Sequence, residues 1–235
     1  MTAVCYTPWK IPTIRATLLN SCGVPVTGCS TVVSDGIISV AMTKEYEDRE
    51  DFFKKNGDGT FCVKATTPPI LKWIGLELTF CNVDPDLVNL LSAEPRVYDD
   101  ASTPRATGFS TQEGSAASVN FALETWTRIA DQPACTGGIE YGYTIFPWVI
   151  EGRVGDVTYE NGTADFVITS ARTRSGSPWG LGPYMVDYSD NPAGSTTQIP
   201  LLTAIGSTQH MRQFLTRLAP PTASCGCQTL TDLIP

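Results

Sequence analysis

Apolar and polar residues alternate along much of the chain. Leu76, Leu78 and Phe80 are separated by Glu77 and Thr79; Val119, Phe121 and Leu123 by Asn120 and Ala122; Phe166 and Ile168 by Val167, with Asp165 and Thr169 outside them. Successive side chains of a strand point to opposite faces, so this period predicts strands with one face in a core and the other toward water or a partner. Thr31–Met42, rich in Val and Ile, reads as one further strand, and Ile139–Glu151 and Arg153–Tyr159 as two more. Asn161-Gly162 is a two-residue turn signal, because both residues tolerate positive φ. With Thr163 it also spells a glycosylation sequon, which has no meaning without a secretory route.

One segment breaks the period. Asp84 suits a helix N-cap, Pro85 the first helical position and Asp86 the positive end of the helix dipole. Leu87, Leu90 and Leu91 then fall on one face. A short helix over Pro85–Ala93 is predicted, ending before Pro95. The fold class is therefore mainly β, with one short flanking helix. No internal repeat is visible, so residues 1–235 read as one domain, although Thr103 is a place where a second half could begin.

Two stretches fit neither pattern. Lys44–Thr60 is long and charged, with six acids and four bases, and it carries Tyr46, Phe52 and Phe53. Two readings are open: a solvated hairpin whose aromatics tuck into their own core, or an arm whose aromatics bury in a neighbouring subunit, as interface cores do. Its Asn56-Gly57-Asp58-Gly59 lacks the spaced acids and terminal Glu of a calcium loop and reads as a type I′ tip. Ser189–Ile199 reads as a polar connection, and Ala219–Pro235 as a terminal arm or a frayed tail.

The net charge of −8 and the pI of about 4.6 sharpen this picture. Basic residues never cluster beyond Lys54-Lys55, so there is no basic stripe to displace counterions from phosphates, and the field repels nucleic acid. Met1–Arg15 holds Pro8 and Pro12 and no signal-peptide core. No run approaches the roughly 18 apolar residues that span a bilayer. A cytoplasmic protein is expected, and its eight cysteines then read as buried thiols, with disulfides formed after release as the alternative. The spacings Cys22–Cys29 and Cys225–Cys227 do not match common zinc knuckles.

Candidate chemistry is sparse. His210 is the single histidine, so any Ser-His-Asp or Cys-His arrangement must use it. Its context, GSTQHMRQF, holds no nucleophile elbow, and it reads as a surface or capping residue. The GLG at 180–182 runs into Pro183 and Tyr184, which is turn chemistry rather than a dinucleotide fingerprint. No spacing singles out a catalytic carboxylate pair among the 24 acids. Five tryptophans, Trp9, Trp73, Trp126, Trp148 and Trp179, read as core packing, with a carbohydrate-stacking platform as the alternative.

Several runs carry a resemblance. In the segment around Arg15–Ala93, IRATLLNSCGVPVTG, then VVSDGIISVAMTKEYED and the charged loop, then LKWIGLELTFCNVDPDLVNLLSA resemble the N-terminal half of major tail (tail tube) proteins of siphophages infecting actinobacteria. ADFVITSARTRSGSPWGLGPYMV resembles a run in the C-terminal part of the same proteins, and together these cover somewhat under half the chain. The resemblance implies a β-sandwich or barrel with a flanking helix, a core over 14–188 and an arm or tail over 219–235. It implies hexameric rings stacked into a tube around a tape measure protein, with a tail terminator and a baseplate or distal tail protein at the ends. Such a protein is a structural part of the virion tail, assembled in the host cytoplasm; it binds no cofactor and no membrane, and DNA meets it only in transit through the bore. In this reading it is not an enzyme, and Tyr46, Asp48, Phe52, Phe53 and Lys54 of the charged loop belong to the subunit interface. Another tail or head-tail component, such as a terminator, connector or decoration protein, is the alternative within the same class.

Overall fold

A computed structural model describes residues 5–113, 119–130, 140–157, 165–182, 184 and 198–230. In chain order the elements are β1 (Pro8–Leu19), β2 (Cys29–Ser34), β3 (Ile37–Tyr46), β4 (Asp51–Lys55), β5 (Phe61–Thr66), β6 (Leu71–Phe80), α1 (Pro85–Ser92), β7 (Arg96–Tyr98), β8 (Ala106–Phe109), β9 (Asn120–Ile129), β10 (Tyr141–Ile150), β11 (Arg153–Val154), β12 (Phe166–Thr173), β13 (Arg212–Thr216) and β14 (Ser224–Thr229). The fold is mainly β, as the alternation predicts.

Ten strands form one antiparallel sheet in the order β14-β2-β1-β9-β10-β12-β6-β3, with β11 beside β12 and β13 beside β10. Among the described residues the sheet does not close: β14 and β3 are its end strands, so the barrel form of the expectation does not hold. Strand β10 is the pivot. Its first half pairs with β9 on one side and β13 on the other, while Val149 and Ile150 pair with β12. The β9–β10 register shifts between Phe146 and Val149, on either side of Pro147, which has no N–H for the ladder.

Two apolar clusters result. The larger packs Ile14, Val32, Leu78, Phe80, Phe121, Leu123, Phe146 and Ile168 against Leu87, Leu90 and Leu91 of α1. The other face of β9 and β10 is also covered: Ala122, Trp126, Tyr143 and Ile145 pack with Trp179, Tyr184, Leu201 and Ile205. Burying each large apolar side chain contributes about 2 kcal/mol of transfer free energy, so both faces of these strands are anchored.

The helix forms as predicted. Asp84 is extended (φ −101°, ψ 115°) and its side chain accepts a hydrogen bond from Asp86 N, while Ala93 closes the other end in the left-handed region. Thr31–Met42 is two strands rather than one. The chain turns at Asp35-Gly36, where a Cβ on Gly36 would lie 1.9 Å from Asn82 Oδ1, so a larger residue there requires the Asn82 side chain to move.

Of the C-terminal segment, Ser224–Thr229 is held in the sheet as β14. β14 pairs with β2, and Cys227 is disulfide-bonded to Cys29. Asp84 Oδ2 accepts from Gly226 N at 2.8 Å and Asp86 Oδ2 from Cys227 N at 3.3 Å, tying β14 to the start of α1. The sheet thus extends well past residue 188. The buried-thiol reading fails where it can be examined, since Cys5, Cys22, Cys62, Cys81 and Cys225 are all exposed. Cys135, the Asn161-Gly162 turn, the end of Arg153–Tyr159 and most of Ser189–Ile199 lie outside the described residues.

Candidate assembly interface

Lys44–Thr60 is not a loop. β3 runs on through Lys44 and Glu45 to Tyr46, and after a short irregular link β4 pairs with β5 to make a hairpin. Backbone bonds from Glu47 N to Ile70 O (2.8 Å) and from Thr67 N to Glu50 O (3.0 Å) continue the β3–β6 ladder into it. The whole is one ribbon, about 30 Å long from Glu47 to its tip at a strand's rise per residue.

The tip is also not type I′. Gly59 N donates to Asn56 O at 3.0 Å and Asn56 N to Thr60 O at 2.7 Å, and the positive φ falls on Gly59 (86°). This is a turn closed by a left-handed glycine, the three-residue hairpin alternative to the two-residue one. Asp58 secures it by accepting from the Thr60 hydroxyl and backbone N–H, and those bonds hold its carboxyl below the ordinary carboxylate range.

The ribbon is uncovered. Phe52, Phe53, Phe61 and Val63 are each about half exposed. The register places Phe52 opposite Ala65 and Lys54 opposite Val63 on one face, and Phe53 opposite Lys64 on the other, where Phe53 and Phe61 rings meet at 5.8 Å. Apolar side chains with lysines among them therefore occupy both faces. Of the two readings for these aromatics, the one that tucks them into their own core does not hold. A two-stranded ribbon on its own is marginal in water, so this one exposes its apolar surface at a cost.

The same surface continues down β3. Ile38, Met42 and Tyr46 are exposed, as is Ile70 at the base of the ribbon. Among the described residues, half of the sixteen exposed large hydrophobic ones lie between positions 38 and 70, which marks a concentrated apolar surface there. Among the described residues β3 pairs only with β6, which leaves its other edge as an edge of the sheet. Of the residues expected at an interface, Phe52, Phe53 and Lys54 lie on β4, Tyr46 ends β3, and exposed Asp48 lies in the link between them. Ile38, Met42, Phe61, Val63 and Ile70 belong to the same surface; the signal for Phe61 and Val63 was their alternation after the Gly-rich tip.

Groups with titratable chemistry sit elsewhere, in structural roles. Arg15 and Glu124 pair beneath the second cluster, and the Tyr143 hydroxyl donates to Glu124 Oε1 at 2.5 Å. Burial and the nearby Glu124 charge push the Tyr143 pKa well above its ordinary value, so it stays a neutral donor. His210 is buried rather than superficial; its Nδ1 lies 2.8 Å from Thr173 Oγ1, which accepts from Ile74 N. Trp126 and Trp179 are core residues, Trp73 and Trp148 are faced by Arg172 and Arg174, and Trp9 is 65% exposed with Lys10 over its ring. The core-packing reading thus fails for Trp9, and no two described tryptophans form an open stacking platform.

Among the described residues no group of three or more His, Cys, Asp or Glu is placed to hold a metal ion, and no helix is long and apolar enough to cross a membrane. No protein-family model matches the chain, and no curated protein matches it significantly.

Proposed function

We propose that the protein is a structural subunit that polymerises with copies of itself, and specifically the tail tube subunit of a long-tailed bacteriophage. The observation that carries this reading is the two-faced aromatic ribbon β4–β5, about half exposed and rising from an end strand of the sheet, with nothing among the described residues covering it. An edge strand and an exposed apolar arm are hazards for a monomer and joints for an assembly. Head-to-tail contacts of this kind close into rings or extend as filaments. In the tube, hexameric rings stack around a tape measure protein, ends meet the terminator and distal tail proteins, and DNA passes in transit.

Two further features support it. The charge of −8 suits a wall along which phosphates slide without being held. The buried Arg15, Glu124 and Tyr143 satisfy one another inside the fold, a use of charged groups that suits a scaffold. Negative-stain microscopy of the purified protein over a range of salt tests the proposal. Rings or tubes of constant width are expected; small monodisperse particles under every condition overturn it.

A further inference from the structure

The tip of the ribbon places an amide side chain next to an unengaged backbone nitrogen. Asn56-Gly57 is exposed in the turn between β4 and β5. The Asn56 main chain is engaged on both sides: its N–H donates to Thr60 O and its C=O accepts from Gly59 N. The Gly57 N–H is not, since it donates to nothing among the described residues. Nothing lies within 4 Å of the place that a Cβ on Gly57 would take. The Asn56 side-chain amide is held by one exposed bond, Nδ2 to Thr60 Oγ1 at 3.2 Å. A two-stranded ribbon exposed on both faces opens locally at little free-energy cost, and glycine gives its tip the widest range of backbone angles.

We propose that Asn56 is a site of spontaneous modification, at which water converts the side-chain amide to aspartate and isoaspartate. The Gly57 nitrogen attacks Asn56 Cγ. The N–Cγ bond forms, the Cγ–Nδ2 bond breaks, and the proton of the attacking nitrogen leaves with Nδ2 as ammonia. Water then opens the cyclic imide. Cleavage at Cγ gives aspartate; cleavage at the main-chain carbonyl gives isoaspartate, with the backbone now running through Cβ and Cγ. The sum is amide and water giving carboxylate and ammonium, with no oxidation or reduction. Each conversion adds one negative charge. Asp51–Thr66 holds three lysines and two aspartates, net +1, so the converted ribbon carries 0. Isoaspartate also displaces the carbonyl that Gly59 N meets, which removes a bond that closes the turn. The site stands whether or not the ribbon is a joint between subunits.

The sequence isolates this site for measurement. Cleavage after glutamate releases Asp51–Glu77, in which Asn56 is the only side-chain amide. The folded protein is held in mildly alkaline buffer and then digested; the peptide is read by mass spectrometry, and isoaspartate is scored with an isoaspartyl methyltransferase. The peptide is expected to gain the mass of an amide-to-acid exchange and to accept methyl groups. Gly57→Ala supplies the control. Its Cβ enters open space and its φ lies outside the left-handed region, so the fold should keep its circular dichroism spectrum. The added Cβ hinders the attacking nitrogen, and most of the conversion should be lost. Two results overturn the proposal. In one, the folded protein keeps its amide under conditions in which the isolated Asp51–Glu77 peptide loses it, so the turn protects Asn56. In the other, Gly57→Ala converts as fast as the unaltered protein, so the Gly57 nitrogen is not the attacking atom.

Discussion

Arg15 on β1 and Glu124 on β9 stand directly opposite each other in the antiparallel ladder and are joined twice, Nε to Oε2 at 2.5 Å and Nη2 to Oε1 at 2.6 Å, with both side chains almost wholly removed from water. Burial pulls the Arg15 pKa down, and the Glu124 charge and hydrogen bonds outweigh it, so the net displacement is upward and the guanidinium stays charged.

Breaking that pair strands a buried charge. Arg15→Met is expected to cost about 3–5 kcal/mol in urea unfolding, whereas the double change Arg15→Met with Glu124→Leu, which removes both charges, should recover most of the loss. A single variant as stable as the unaltered protein would show that the pair contributes nothing.

His210 sets a pH dependence. Burial lowers its pKa below the ordinary value, outweighing the opposite effect of its bond with Thr173. The unfolded chain therefore holds this proton up to a higher pH than the fold does, so stability is complete above about pH 6.5 and declines as pH falls from there toward the depressed folded pKa. His210→Gln should flatten that part of the urea-midpoint profile between pH 5 and 7.5; an unchanged slope contradicts the assignment.

The disulfide closes a long loop. Cys29 and Cys227 are 198 residues apart, and a cross-link of that span stabilises by on the order of 5 kcal/mol in the chain-entropy description. Cys227→Ser should lower the unfolding midpoint accordingly. It should also open the segment after Pro221 to limited proteolysis first, because β14 then depends on its irregular pairing with β2 and the two aspartate contacts.

The ribbon is separable from the body. Glu50 and Thr67 are already hydrogen-bonded across its base, so replacing Asp51–Thr66 with Asn-Gly closes the ladder with a short turn. The shortened protein is expected to keep the stability of the parent within about 1 kcal/mol, since surface changes away from the core cost little, and to remain monomeric by sedimentation. Full-length tubes from it would remove the ribbon from the joint.

What could be read in advance follows the range of the interactions. Helix α1 was legible because its determinants, Asp84, Pro85 and the leucine spacing, act within one or two turns. Strands β6, β9 and β12 were legible from alternation, but alternation names faces and not what covers them. Glu124 reads as a water-facing position beside Leu123, yet it meets Arg15, 109 residues earlier, under a second layer built by Trp179, Tyr184, Leu201 and Ile205. His210 likewise depends on Thr173. The Asp35-Gly36 turn was hidden by β-branched residues on both sides. For the candidate interface, Tyr46, Phe52 and Phe53 stood out as aromatics in a charged run. Their exposure on both faces of a hairpin depended on the pairing with Phe61–Thr66.

The Cys29–Cys227 bond makes residues 29–227 a covalent circle. A pull on the chain from outside that circle can peel β1 or strain the end of β14, but it passes from one sulfur to the other and does not draw out the strands enclosed between them. A subunit loaded along a shaft would in this way carry tension past the ribbon and the strands enclosed between the two cysteines, leaving those unstretched.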